Sequence, residues 1–259
     1  MPQQSVSRFY DELAADYHLI YVDWDAALRR QAAALGPLLE LAGQPAAVLG
    51  CACGIGTQAL GLALRGHRVT GTDLSPRAAA RASREAALRD VRLPTAAADM
   101  RRLPFPADTF DAVVCADNSL PHLLTPEDIR AALTEMRRVP RPGGLLLVGT
   151  RDYDALRAGR PASTPPQLHG RAVTFQLWHW HEDGERYDLE HFQLVPGTEG
   201  EARENWEVRV RRTTYWALPR ARLSALAREA GLTAPSWRLP EETGFFQPLL
   251  LARKDANGG

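Results

Sequence analysis

The stretch "AVLGCACGIGTQALGLA", residues 47 to 63, decides how the rest of the chain is read. Val48-Leu49 starts a buried strand, Gly54-Ile55-Gly56 forms a turn whose backbone can approach a ligand closely, and Gln58 to Ala63 are helix formers. Strand, glycine turn and helix in that order make a ligand site. A dinucleotide and a nucleoside sulfonium both use this layout, so the turn alone does not choose between them.

Outward from this stretch, apolar runs alternate with helical ones. Ala47 to Gly50, Arg68 to Gly71, Thr95 to Ala98, Ala112 to Cys115 and Leu145 to Gly149 read as strands. Gln58 to Arg65, Pro76 to Arg89 and Pro126 to Val139 read as helices between them. The alternation predicts an α/β fold, a doubly wound Rossmann-like parallel sheet. Before it, Leu28, Ala32, Leu35, Leu38 and Leu39 recur at helical spacing within a span from Ser7 to Leu41 that Gly43 and Pro45 end. After Thr150 the texture changes. "GRPASTPPQ" is followed by two alternating stretches, the first turning at Asp183-Gly184, which predicts antiparallel strands. A helix from Pro219 to Ala230 and a strand in "FFQPLLLAR" close the chain. The expected organisation is a single domain: a helical cap or lid over 1–45, a ligand-binding core over 46–150, an antiparallel insertion on the substrate side over 151–215, and a closing helix and strand over 216–259.

A chain of 259 residues can bury a sizeable core without staples. The formal net charge is zero, which gives no global field to attract nucleic acid or an anionic membrane. A small neutral or zwitterionic partner fits better, and a homo-oligomer is left open. Cys51, Cys53 and Cys115 sit at the ends of apolar runs; their odd number reads as small buried thiols in a reducing compartment. The polar, aromatic opening "MPQQSVSRFYDELAADYHLIY" has no apolar segment of the secretory kind, so a cytoplasmic location is expected.

Gly54, Gly56 and Ala59 fit G-x-G-x-x-A, and Asp73 follows at the end of the next strand, which suits a dinucleotide. The segments "VLGCACGIGT", "VTGTDLSP", "AAADMRRLPFPADTFDAVVCADNSL" and "RVPRPGGLLLV", however, occur in the order of the class I S-adenosylmethionine-dependent methyltransferases, which residues 46 to 150 resemble. The resemblance implies S-adenosylmethionine as cofactor. It places Tyr17, Gly54, Gly56, Asp73, Leu74, Asp99, Met100 and Ala116 on the cofactor side. A carboxylate such as Asp73 can accept hydrogen bonds from both ribose hydroxyls; its alternative is a helix cap before Ser75-Pro76. Asp99 or its backbone would meet the adenine amine, with Met100 and Leu74 against the ring.

"VVCADNSLPHL" and "GTRDYDAL" are similar to segments of the glycine and sarcosine N-methyltransferases. That likeness implies that Asn118 reaches the substrate and that Arg151 grips its carboxylate, against the plainer reading of Arg151 as a surface partner of Asp152 or Asp154. "FYDELAADYHLIY" resembles the same group's aromatic lid and implicates Tyr10, Tyr17 and Tyr21. Tyr21, Asn118, His122 and Arg151 are therefore the candidate catalytic residues, His122 as a general base for an acidic hydroxyl acceptor or else a loop cap. The implied reaction is methyl transfer to a small-molecule acceptor, preferably an amino-acid nitrogen. Transfer to oxygen or carbon, and cofactor binding without transfer, are the alternatives.

In "WHWH" His179 and His181 share a strand face, and His191 can join them from the neighbouring strand; a solvated face is expected there and no metal. Trp178 and Trp180 are expected to roof the acceptor pocket or pack on the core. Finally, Gly50 stands where the resembling family usually has an acid. An aspartate restored at that position is expected to tighten cofactor binding or leave it unchanged.

Overall fold

The computed structural model describes residues 5–197 and 205–256. Helix α1 (Val6–Leu13) and a 3-10 turn (Tyr17–Ile20) precede α2 (Trp24–Leu39). Then β1 (Ala47–Cys51), α3 (Thr57–Leu64), β2 (Arg68–Asp73), α4 (Pro76–Ala87), β3 (Thr95–Ala97), β4 (Phe110–Cys115), α5 (Pro126–Arg138) and β5 (Pro140–Gly149) follow. Helix α6 (Tyr153–Gly159) leads into β6 (Gln167–His169), β7 (Ala172–Trp180), β8 (Arg186–Pro196) and β9 (Trp206–Trp216). Helix α7 (Arg220–Glu229), β10 (Thr233–Arg238), α8 (Pro240–Thr243) and β11 (Leu249–Arg253) complete the order.

The larger sheet runs β3-β2-β1-β4-β5-β11-β10, parallel except for β11, which is antiparallel to both neighbours. Its central strands are apolar on both faces because helices cover both. Leu49, Val113 and Leu146 pack with α5 and α7, while Val48, Ala112 and Leu147 pack with α2, α3 and α4. Chain order reverses between β1 and β4, and in such sheets the crevice beyond the carboxyl ends at that point is where ligands bind.

The single helix read from Ser7 to Leu41 is broken in the structure. Ser5 caps α1 and Asp23 caps α2, each accepting from the backbone N–H three residues on. The break carries Tyr17 and Tyr21 inward, and Tyr17 lies over Gly54. Two sets of bonds pin this lid. Arg81 of α4 donates to the carbonyls of Ala14 and Ala15 at 2.6 and 2.8 Å. From β9, Arg209 and Arg211 reach the Asp16 carboxylate at 2.6 and 3.1 Å.

The second sheet, β6-β7-β8-β9, is antiparallel, with the turn at Asp183-Gly184 as the sequence predicts. Its inner face carries a stack of rings: Trp178 on Tyr187 at 4.8 Å and Tyr187 on Tyr215 at 5.4 Å, with Tyr153 beside them. Trp178 and Trp180 thus pack into this core. On the outer face His179 pairs with Glu190 and His181 with Asp188, each at 3.3 Å. His191 does not join them. Its register partner is Gln176, next to His179's neighbour Trp178 on the inner side, so the pleat sends it to the opposite face. No group of three metal-ligating side chains occurs among the described residues, and no described helix is long and apolar enough to cross a membrane.

Candidate active site

A cavity of about 400 Å³ opens at the carboxyl ends of β1, β2, β3 and β4, under α1. Tyr17, Gly54, Asp73, Leu74, Asp99, Met100 and His122, seven of the residues singled out from the sequence, line it. Asp73 ends β2 with both oxygens engaged: Oδ2 accepts from the Gly54 N–H at 2.7 Å and Oδ1 from the Ser75 N–H at 2.8 Å. It therefore holds the glycine turn in place, while Ser75 itself caps α4. Burial outweighs those two bonds and pushes the Asp73 carboxyl up to about 6. A carboxylate has about four acceptor sites, so two remain for a ligand in the cavity.

At the other end of the cavity, Arg101 forks onto Asp99 with contacts of 2.6 and 3.1 Å and also reaches Asp128 at 2.8 Å. The guanidinium holds the Asp99 carboxyl below its usual range. Leu74 is 39% exposed and Met100 packs partly against the core, so each offers one apolar flank to the cavity. Gly56 does not border it. With φ of +97° it turns the chain into α3, and a Cβ there would lie 3.1 Å from that of Ala82, so its service is to the turn and to close packing.

His122 is buried with both ring nitrogens occupied, Nε2 by the Tyr10 hydroxyl at 2.7 Å and Nδ1 by that of Thr213 at 3.2 Å. Its ring lies 4.1 Å from that of Tyr215. Burial, and after it the nearby Arg151 charge, push it down to about 3, which leaves a neutral and weak base. In this arrangement His122 is bonded to Tyr10 and Thr213, the position of a residue that holds the lid tyrosine.

Arg151 follows β5 and Asn118 follows β4, and the two are tied by the Arg151 N–H donating to Asn118 Oδ1 at 3.0 Å. Neither borders the main cavity. The Arg151 guanidinium sits between the Trp178 and Tyr215 rings, 4.8 and 4.9 Å from their centres, and donates to the Tyr187 hydroxyl at 2.6 Å. It makes no ion pair among the described residues, so Asp152 and Asp154 are not its partners; both lie near Arg220. The amide nitrogen of the buried Asn118 has no partner among the described residues.

A second, smaller cavity continues from the first, sharing Tyr17, Ala52, Gly54 and Ser119 with it, and is also lined by Tyr21, Thr57, Ala116 and Asp117. Tyr21 donates to Asp117 Oδ2 at 3.0 Å and Gln247 to Oδ1 at 3.3 Å. Three non-glycine residues at the strand ends around these cavities hold left-handed backbones: Ala52 at φ +54°, and Asp117 and Asn118 both at +64°. Such strain, about 1–2 kcal/mol per residue, gathers where a site needs a particular backbone path. Asp117 escaped the sequence reading although it precedes Asn118 in "CADNSL"; the Asp-Asn pair, two residues that tolerate this conformation, was the available signal.

Residues 48–144 match a family profile described as a methyltransferase domain. The chain is 37% identical over 142 residues to a glycine/sarcosine N-methyltransferase of Parasynechococcus marenigrum, covering 54% of this chain and 50% of that one. The chain spans about half the length of the curated relatives it matches. Its fold is like that of the CcbJ methyltransferase from Streptomyces caelestis, with a TM-score of 0.77 at 19% identity over 98% of this chain and 100% of that one. It is also like that of CalS10, an amino pentose methyltransferase from Micromonospora echinaspora solved with S-adenosylmethionine bound, with a TM-score of 0.64 at 20% identity over 95% and 91% of the two chains. The chain thus has the fold of S-adenosylmethionine-dependent methyltransferases of known structure, with a methyltransferase domain matched over residues 48–144.

Proposed function

We propose that this protein transfers a methyl group from S-adenosylmethionine to the nitrogen of a small amine that carries a carboxylate. The observation that supports the cofactor is Asp73 at the end of β2, with acceptor sites turned to a 400 Å³ cavity flanked by Leu74 and Met100. The cavity is of the size of small-ligand sites, and its charge and apolar flanks fit a nucleoside. When bound, S-adenosylmethionine supplies a methyl group on positively charged sulfur. Everything else falls to the chain. Asp73 accepts from the ribose hydroxyls, Tyr10 and Tyr17 close the site under the lid, and the lid excludes water. Positioning of this kind supplies up to about 7–11 kcal/mol of a barrier.

The acceptor reading is supported by Arg151. A partly buried guanidinium with no ion pair among the described residues, and the Asp117 carboxyl within reach of its charge, still gains from an anion that completes it, its fork matching a carboxylate in two parallel bonds. The Asn118 amide, unpartnered and tied to Arg151, is a further donor. The amine attacks only after its ammonium form has given up a proton, and with His122 a weak base that proton passes to water. One observation favours a second reading, a hydroxyl or carbon acceptor without a carboxylate: Arg151 does not border the main cavity.

A mass-spectrometric screen of amino acids, amines and phenols with the cofactor, looking for the gain of one methyl, separates the two. Methylated amino acids are expected, and Arg151→Lys should raise the KM for the acceptor while leaving cofactor affinity unchanged, because an ammonium loses the paired geometry. An acceptor without a carboxylate, or unchanged efficiency in that variant, overturns the amino-acid reading.

A further inference from the structure

The cofactor proposed above is a zwitterion at its methionine end, and the main cavity offers that end no free charge. Asp73 is taken up by the glycine turn and, in the reading above, by the ribose, and Asp99 and Asp128 are neutralised by Arg101. The second cavity, a space of only about 10 Å³, adjoins the first past Gly54, with Tyr17, Ala52, Gly54 and Ser119 lining both. There the acid is Asp117, which makes no ion pair among the described residues. Tyr21 and Gln247 each give it one neutral hydrogen bond, fixing its direction and leaving further acceptor sites. Its left-handed backbone, shared with Asn118, is the strained feature that brings this side chain to the end of β4. On the opposite wall, β1 has nothing comparable. Gly50 has no side chain, and one could not be added freely, since a Cβ would sit 3.1 Å from that of Ala59.

We propose that Asp117 is the binding residue for the α-ammonium group of the cofactor, held by Tyr21 and Gln247 and serving from β4 in place of the acid that β1 lacks. This rests on the cofactor reading given above. Burial raises the Asp117 carboxyl above its usual range, against the bonds from Tyr21 and Gln247 and the nearby Arg151 charge, so a cationic ligand group would add to a charge that Arg151 only partly offsets.

Two ligands that share the adenosine end test it. S-adenosylhomocysteine carries the amino-acid end, and 5′-methylthioadenosine does not. By calorimetry the unaltered protein is expected to bind the former more tightly. Asp117→Asn is expected to weaken S-adenosylhomocysteine by about 10- to 100-fold, the scale of a charge-assisted bond, with 5′-methylthioadenosine unchanged within about twofold. Retained 5′-methylthioadenosine binding also reports that the variant is folded. Asp117→Ser removes the charge with a smaller side chain and should act alike; Asp117→Glu should recover part of the preference. Equal loss of both ligands would make Asp117 a structural residue and overturn the proposal. So would no loss of either, or a change confined to the KM of the acceptor. Binding of neither ligand by the unaltered protein would refute the cofactor reading itself.

Discussion

Replacing Asp73 by Asn separates a site residue from a helix cap, because the two roles move stability in opposite directions. The folded chain raises the Asp73 carboxyl from 3.8 to about 6. At 1.36 kcal/mol per unit, the ionised form is disfavoured in the folded state by about 3 kcal/mol at neutral pH. The sign follows from proton binding. Between pH 3.8 and 6 the folded state holds this proton more tightly than the unfolded one, so this contribution lowers stability as pH rises through that window and is constant above it. In the Asn variant one amide oxygen can keep the Ser75 N–H, but the amide nitrogen faces the Gly54 N–H, a loss of about 1–3 kcal/mol. The two effects offset to leave between about 0 and 2 kcal/mol in favour of the variant, or a Tm unchanged to about 4 °C higher. Ligand affinity should behave in the reverse way. S-adenosylhomocysteine should bind about 10- to 100-fold more weakly to the variant, which offers its ribose no charge. In the unaltered protein, affinity should fall about tenfold between pH 7.5 and pH 5 as Asp73 takes up its proton, whereas the variant should show a smaller fall, the part that Asp117 contributes. Scanning calorimetry and titration at both pH values read all of this. A variant that melts about 10 °C lower with undiminished affinity would show that Asp73 is a cap and no more.

Gly50→Asp is expected to lower both Tm and cofactor affinity, contrary to the sequence expectation. Its Cβ meets Ala59 of α3 at 3.1 Å and its carboxylate would enter a pocket walled by Leu62 and Val114, so overpacking of about 1–3 kcal/mol adds to the cost of an unpaired buried charge. Gly50→Ala measures the steric part alone. Asp16→Ala leaves the buried Arg211 without its carboxylate; hydrogen exchange over residues 14–21 should quicken and S-adenosylhomocysteine should bind several-fold more weakly as the lid loosens. His122→Asn should leave the pH midpoint of binding near 6, because His122 is uncharged above about 3. A shift of that midpoint would reassign it from Asp73 to the histidine.

Much of the core was legible because its signals are local and regular. β1, β2 and β4 are short apolar runs, and α3, α4 and α5 carry helical periodicity between them, so order and direction followed from the alternation. α6, β10 and α8 were not legible: they are four to seven residues long and hold too few positions for a period to show. The cofactor half of the site was readable because Gly54 and Asp73 lie at strand ends whose spacing the fold dictates. The rest of the site depends on contacts distant in sequence. The rings around Arg151 come from β7, β8 and β9, and the partners of Asp117 are Tyr21 and Gln247, 96 and 130 residues away. Nothing near "CADNSL" announces them. His191 shows the same limit, since which face it takes is set by cross-strand register, which the spacing of histidines does not specify.

S-adenosylmethionine is expected to bind in the trough between Asp73 and Asp117. Isothermal titration of the unaltered protein at pH 7.5 with S-adenosylhomocysteine and, separately, with a nicotinamide dinucleotide tests it most directly. Saturable one-site binding of S-adenosylhomocysteine, competed by S-adenosylmethionine, and none of the dinucleotide is expected; binding of the dinucleotide in preference, or of neither, would overturn the cofactor assignment.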